Sequence, residues 1–199
     1  MQYSPLLTDL IKNLQSLQGI GAKSAQRIAF SLLSGNRGKG LALARSLADA
    51  MNGIGECSCC RNFTEEELCP ICSSKKRLQE KTICVVENPA DVTAIEAASE
   101  YFGIYFVLHG KISPLDGIGP EELRLDQLES LIERIECREL IIAINPSVDG
   151  SMTSFYIADL AKKHNVKVTT LAQGIPMGGE IDNMDQTTIS YSFSNRRSF

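Results

Sequence analysis

Residues 82–92 read TICVVENPADV: an apolar run, a glutamate, an Asn-Pro turn, then residues that can open a helix. An apolar run of this length, bounded by a turn and followed by a helix-like segment at 90–100, reads as a buried strand leading into a helix. The texture repeats downstream. IYFVL (104–108), LIIAI (140–144) and KVTTL (167–171) alternate with helix-like segments at 126–136 and 152–164. Short apolar runs alternating with helices predict βαβ units around a mostly parallel sheet. Such sheets place their chemistry at the carboxyl ends of the strands. Two carboxylates stand there, Glu87 at the end of ICVVE and Asp149 in the turn after IIAI, with Asp91 in the turn NPADV. Converging strand ends of this kind could hold Mg²⁺. The plainer alternative is that acidic residues cap helices, and that Asp91 simply begins VTAIEAASEYF.

Upstream the pattern changes. From Ser4-Pro5, a capping serine with proline at the first helical position, Leu6, Leu7, Leu10, Ile11, Leu14 and Leu17 recur at helical spacing. Gly19 and Gly21 interrupt them, and AKSAQRIAFSLL (22–33) and LALARSLADAMNGI (41–54) read as two more helices. The stretch LQGIGAKSAQRIA (17–29) suits a helix-hairpin-helix. Its two glycines permit a tight turn and close approach of backbone amides to a phosphate. Lys23 and Arg27, four apart, share one helix face and can reach the same nucleic-acid backbone. Contacts of that kind neutralise phosphates without reading sequence. The alternative is an ordinary helical hairpin whose basic residues serve solubility.

Five of the seven cysteines fall within CSCCRNFTEEELCPIC (57–72). Cys57 with Cys60 and Cys69 with Cys72 form two C-x-x-C pairs, which together complete a tetrahedral thiolate shell suited to zinc. Free thiols or a redox pair are the competing reading, and a shifted pairing through Cys59 stays open. A closed four-sulfur shell leaves no position for water, so the expected role is folding. The surrounding residues are too polar to fold without such a staple. Cys84 and Cys137 lie in or beside apolar elements and read as buried thiols.

The composition, 43% hydrophobic and 6% aromatic, excludes disordered and collagen-like classes. No apolar stretch approaches the roughly 18 residues of a membrane span, and the N-terminus lacks the pattern of a secretory signal, so a cytoplasmic location is expected. The net charge of −4 is uneven: residues 1–50 hold six basic and two acidic residues, the remainder 14 and 22. A basic N-terminal part and an acidic body fit a polyanion-binding face and a separate partner face. Two backbone-dominated loops, HGKISPLDGIGPEEL (109–123) and GIPMGG (174–179), complete the inventory. Within the first, His109 and Lys111 could touch a phosphate backbone, although a lone histidine is more often structural.

In this order, GIGAKSAQRIAF, the four paired cysteines, ICVVENPADVTAIE, VLHGKISPLDGIGPEEL and GIPMGGEID resemble the bacterial recombination-mediator family RecR along almost the whole chain. The resemblance implies a multidomain α+β chain. Residues 1–55 would be a helix-hairpin-helix DNA-binding domain, 56–80 a four-cysteine zinc module, 81–175 a Toprim-type α/β domain and 176–199 a C-terminal arm. It implies ring-like homo-oligomers, dimers or tetramers, that clamp DNA and act with RecO, often with RecF, to help load recombinase on DNA coated by single-strand-binding protein. Lys23, Arg27, Gly19 and Gly21 would meet DNA, and Cys57, Cys60, Cys69 and Cys72 would bind structural zinc. Active Toprim enzymes pair a strand-end glutamate with an Asp-x-Asp motif that binds Mg²⁺. Here Glu87 supplies the first element and Asp149 half of the second, but Ser151 stands where the resemblance implies a further carboxylate. Thr170 and Gln173 likewise stand where relatives often carry Arg and His. The expectation is a catalytically silent Toprim fold whose Glu87, Asp91 and Asp149 form a partner surface or a weak cation site. The competing reading is a Mg²⁺-dependent nuclease or primase-like enzyme using the same three carboxylates. A zinc-dependent regulator of specific sites would need base-reading side chains that the basic face does not offer.

Overall fold

The computed structural model describes residues 3–196, and the chain divides into two compact units, residues 1–54 and residues 55–199. The first unit holds three helices, α1 (Pro5–Gln15), α2 (Ala22–Leu33) and α3 (Arg37–Gly53). Ser4 precedes α1 with an extended backbone and Pro5 opens it, where a missing N–H costs nothing. α1 packs on α2 and α2 on α3. Among the described residues of this unit only Ala25 and Ala29 are buried, so its core is thin. The helix α3 buries no residue at all and exposes Leu41, Leu43, Leu47 and Met51 by more than half. It also begins earlier than the apolar pattern predicts, because Arg37–Gly40 carry no apolar signal.

The second unit opens with a short antiparallel pair, β1 (Gly55–Glu56) and β2 (Phe63–Thr64), and a single-turn helix α4 (Lys75–Gln79). Then come β3 (Thr82–Val86), α5 (Pro89–Ala98), β4 (Ile104–Val107), α6 (Leu125–Arg134), β5 (Glu139–Ala143), α7 (Val148–Lys163) and β6 (Lys167–Thr170). The four strands form one parallel sheet in the order β4-β3-β5-β6. Alternate residues serve opposite faces. Ile83, Val85, Ile104, Phe106, Leu140 and Ile142 join the larger core with Leu128, Leu131 and Ile132 of α6 and Ile157 and Leu160 of α7. Cys84, Val86, Tyr105 and Val107 face the other way, with Val92 and Ile95 of α5. Burial on both faces explains why β3 and β4 read as continuous apolar runs.

The edge strand β4 is fully buried because the cysteine module covers it, the Val107 amide donating to the Cys60 carbonyl at 2.9 Å. Covering an edge in this way removes a template for unwanted strand pairing. A bidentate pair ties α4 to α5: Arg77 donates to both Glu96 carboxylate oxygens at 2.9 and 2.6 Å, while Tyr105 donates to Glu96 at 2.6 Å. After β6 come a short 3₁₀ turn (Ile181–Asn183) and α8 (Gln186–Ser194), capped by Asp185, whose carboxylate accepts from the Thr188 amide at 2.9 Å. Among the described residues no helix is long and apolar enough to cross a membrane.

Candidate functional site

The sulfurs of Cys57, Cys60, Cys69 and Cys72 all lie within 4.8 Å of one another and all four residues are buried. Zinc–sulfur bonds of about 2.3 Å put tetrahedral ligands about 3.8 Å apart. The Cys60 and Cys69 sulfurs are 3.6 Å apart, so the cage already has the right size. Arg61 takes a left-handed backbone (φ 64°) and its amide donates to the Cys57 carbonyl at 2.9 Å, closing the first turn. The Cys69 amide donates to the Cys57 sulfur at 3.3 Å, tying the two turns together. Cys60 and Cys69 share a hydrogen bond that lowers Cys69 and raises Cys60, whereas a soft divalent ion takes all four as thiolates. The donor set fits zinc and leaves no open position. Cys59 lies outside this set, its sulfur accepting from Arg134 Nη2 at 3.1 Å, so the two C-x-x-C pairs make the cage and the shifted pairing does not. Cys84 and Cys137 are buried elsewhere, and burial pushes their thiols up to about 12 and about 11.

The helical hairpin of the first unit uses its two glycines differently. Gly19 sits at φ 80°, which a residue with a side chain adopts only at a cost, whereas Gly21 caps α2 with an ordinary extended backbone (φ −79°). What Gly21 provides is room: nothing lies within 4 Å of where its Cβ would be. No side chain caps α2 at this end, so its first amides are free to meet an anion. Lys23 and Arg27 are both exposed one turn apart on α2, and Ala25 and Ala29 turn inward.

At the carboxyl ends of the strands, the chain runs from β3 outward to β4 and then returns to β5 on the other side of β3. That reversal creates the crevice where open α/β sheets bind ligands. Glu87, only 5% exposed, spans it: Oε1 accepts from the Asn145 amide at 2.7 Å, and Lys111 Nζ stands 3.6 Å from Oε2. Asp91 folds back onto its own helix, accepting from the Asn88 amide at 2.9 Å in a capping box. Asp149 sits half-buried in the first turn of α7. Glu87, Asp91 and Asp149 do not converge: among the described residues the four cysteines are the one group of three or more potential ligands close enough to share an ion. Among the described residues the three carboxylates do not stand close enough together to offer one three-ligand set. Gly150 makes the turn after β5 possible, since a Cβ there would lie 2.0 Å from the Asn145 carbonyl oxygen.

The helix-hairpin-helix model of RecR matches residues 7–51, and the four-cysteine zinc finger domain of RecR matches residues 54–74. The Toprim domain matches residues 81–172, and the C-terminal model of RecR residues 174–197. The recombination protein RecR of Shewanella denitrificans is 52% identical over 196 residues, 98% of each chain. The chain belongs to the RecR family. The four buried cysteines are thus its structural zinc site, inside the segment matched by the RecR zinc finger. The sheet built on β3–β6 is its Toprim domain.

What the sequence did not disclose is how the RecR zinc module is fastened to the Toprim domain. Arg61, 5% exposed, donates to the Leu123 carbonyl at 2.8 Å and the Leu108 carbonyl at 3.4 Å, and its guanidinium lies over Phe106 at 5.8 Å. His109 Nε2 donates to the Arg61 carbonyl at 2.7 Å, which places the proton on that nitrogen. Glu56 gathers Arg61 at 3.4 Å and Arg124 at 3.1 Å. His109 is therefore structural, and Lys111 is occupied by Glu87. The loop 109–123 is ordered around them, closed by a bridge between Ser113 and Ile118 and by the Ile112 amide donating to the buried Thr153 hydroxyl at 2.9 Å. Ser151, Thr170 and Gln173 line one cavity of about 250 Å³ with Ile142, Phe155 and Tyr191.

Proposed function

We propose that this chain is a DNA-binding recombination mediator: an oligomeric, zinc-stapled clamp in recombinational DNA repair that acts with RecO, and with RecF, to help load recombinase on DNA coated by single-strand-binding protein. The observation that carries the DNA-binding part is the uncapped, unobstructed start of α2 with Lys23 and Arg27 exposed on the same helix. Free amides and two cations bind phosphates without reading bases. The unpartnered leucines of α3 support assembly with further copies. A thin-cored unit that leaves Leu41, Leu43, Leu47 and Met51 in water gains by burying them against another chain.

The partner face follows from the acidic α/β body, and Asp149 is its most testable residue, half-buried in the first turn of α7. Glu87 is a poor probe, because its carboxylate holds the turn after β5. Asp149→Lys should weaken RecO binding and leave DNA affinity unchanged; equal RecO affinity would remove the acidic face from the proposal. The enzyme reading has the Toprim match behind it. Against it stand Asp91 committed to a helix cap and Ser151 in place of a carboxylate. Incubation with Mg²⁺ or Mn²⁺ on single-stranded and nicked DNA decides: intact DNA supports the mediator, and cleavage lost in Glu87→Gln supports the enzyme.

A further inference from the structure

The Toprim fold implies a divalent cation at the end of β3, yet the residues present there are arranged for something else. We infer that Lys111 is a built-in replacement for that cation, an ammonium tethered by the loop after β4 that neutralises Glu87 and denies the crevice to Mg²⁺. Three observations carry this. Glu87 is 5% exposed, and a carboxylate so buried needs a partner charge or several donors. Both its oxygens are spoken for, Oε1 by the Asn145 amide at 2.7 Å and Oε2 by Lys111 Nζ at 3.6 Å. Lys111 Nζ also donates to the Ser147 hydroxyl at 3.4 Å, so one ammonium links the ends of β3, β4 and β5.

That is the position a metal ion would bridge, with a different charge balance. Mg²⁺ requires about six oxygens at 2.0–2.1 Å and is usually anchored by one or two carboxylates. Here Asp91 is turned into its helix cap and position 151 is serine, which leaves Asp149 to assist Glu87. One carboxylate matches one ammonium, and a divalent ion would have to approach that ammonium closely. The inference rests on reading this Toprim domain as catalytically silent. It is tested by ion binding itself, so it can fail while cleavage assays still find no activity.

The experiment is a Mn²⁺ titration of the full-length, zinc-loaded protein, followed by electron paramagnetic resonance of free Mn²⁺ and by melting temperature. Manganese is hard enough to leave the four-thiolate site to zinc. The native protein should leave Mn²⁺ free into the millimolar range. Lys111→Met should bind one Mn²⁺ per chain at least about tenfold more tightly, the repulsion of a unit charge having gone. Adding Glu87→Gln should abolish the gain. Lys111→Gln, which keeps a donor toward Ser147 without the charge, should behave as Lys111→Met does. If either single variant melts early, Mn²⁺ must restore its melting temperature. Tight binding by the native protein overturns the inference. So does a Lys111 variant that Mn²⁺ neither binds nor stabilises, or a gain that survives loss of the Glu87 charge.

Discussion

Replacing Arg61 by methionine tests how the zinc module is held to the Toprim domain. Methionine keeps an apolar stem and meets the same left-handed backbone, so backbone strain largely cancels and the guanidinium is what changes. Besides the long 3.4 Å contact with the Leu108 carbonyl, three interactions are lost. The hydrogen bond to the Leu123 carbonyl, at 2.8 Å and buried, is charge-assisted and contributes about 1.5–3 kcal/mol. The contact with the Phe106 ring, 5.8 Å to its centroid, adds about 0.5–1 kcal/mol. The pair with Glu56 adds about 0–1 kcal/mol, because Glu56 is a third exposed and keeps Arg124. The sum is a loss of about 3 kcal/mol. Urea unfolding at fixed zinc measures it through tyrosine fluorescence, since four of the five tyrosines lie in residues 55–199. Zinc release to a chelator should accelerate in parallel, and the DNA affinity proposed for residues 1–54 should not change. Arg124→Met, half exposed, is the control and should cost less than about 1 kcal/mol. An Arg61→Met loss below about 0.5 kcal/mol, or one equal to the control, would refute the claim that Arg61 fastens the module.

Cys59→Ser should retain one zinc per chain by metal analysis, whereas Cys57→Ser should lose the metal and melt the module, since Cys57 belongs to the cage and Cys59 does not. Gly150→Ala should lower the melting temperature by the equivalent of about 1–3 kcal/mol, because the added Cβ meets the Asn145 carbonyl oxygen at 2.0 Å; a melting temperature equal to the native one would mean that the turn relaxes freely. Cys84 should resist alkylation at pH 8, as burial pushes its thiol up to about 12 from 9.0. Its folded form holds the proton more tightly than its unfolded form. The stability it contributes is therefore complete below about pH 9 and lost as pH rises towards 12, and alkylation that keeps pace with a small free thiol at pH 8 would contradict the buried placement.

The parallel sheet was legible because TICVV and IYFVL are buried on both faces and LIIAI is buried on one face and half-buried on the other, which leaves continuous apolar runs between turns. The zinc cage was legible because two neighbouring C-x-x-C turns together supply the four thiolates of a tetrahedral shell. The helix α7 starts four residues before the expected 152, because Ser147 caps it with its hydroxyl accepting from the Gly150 amide at 3.0 Å. The helix α8 was invisible, since QTTISYSFS carries no apolar stripe. The strand-end carboxylates show the limit most plainly. Their positions in sequence place Glu87 and Asp149 at strand ends, but nothing local reveals that Lys111 reaches Glu87 or that Arg61 finds the carbonyl of Leu123, 62 residues away. Such partners are set by tertiary packing, and a buried arginine with a left-handed backbone has no signature in a linear pattern.

The most direct test of the central claim is DNA binding by the zinc-loaded protein on closed circles and on linear DNA of the same sequence, followed by native mass and by affinity across salt. The account predicts an oligomer that is retained on circles, slides from linear ends and shows no sequence preference. In Lys23→Ala/Arg27→Ala the affinity should fall, and the salt slope should shrink by about 2, one unit for each phosphate contact removed. A zinc-bound monomer without topological preference, or a double variant with native affinity and native salt slope, would contradict it.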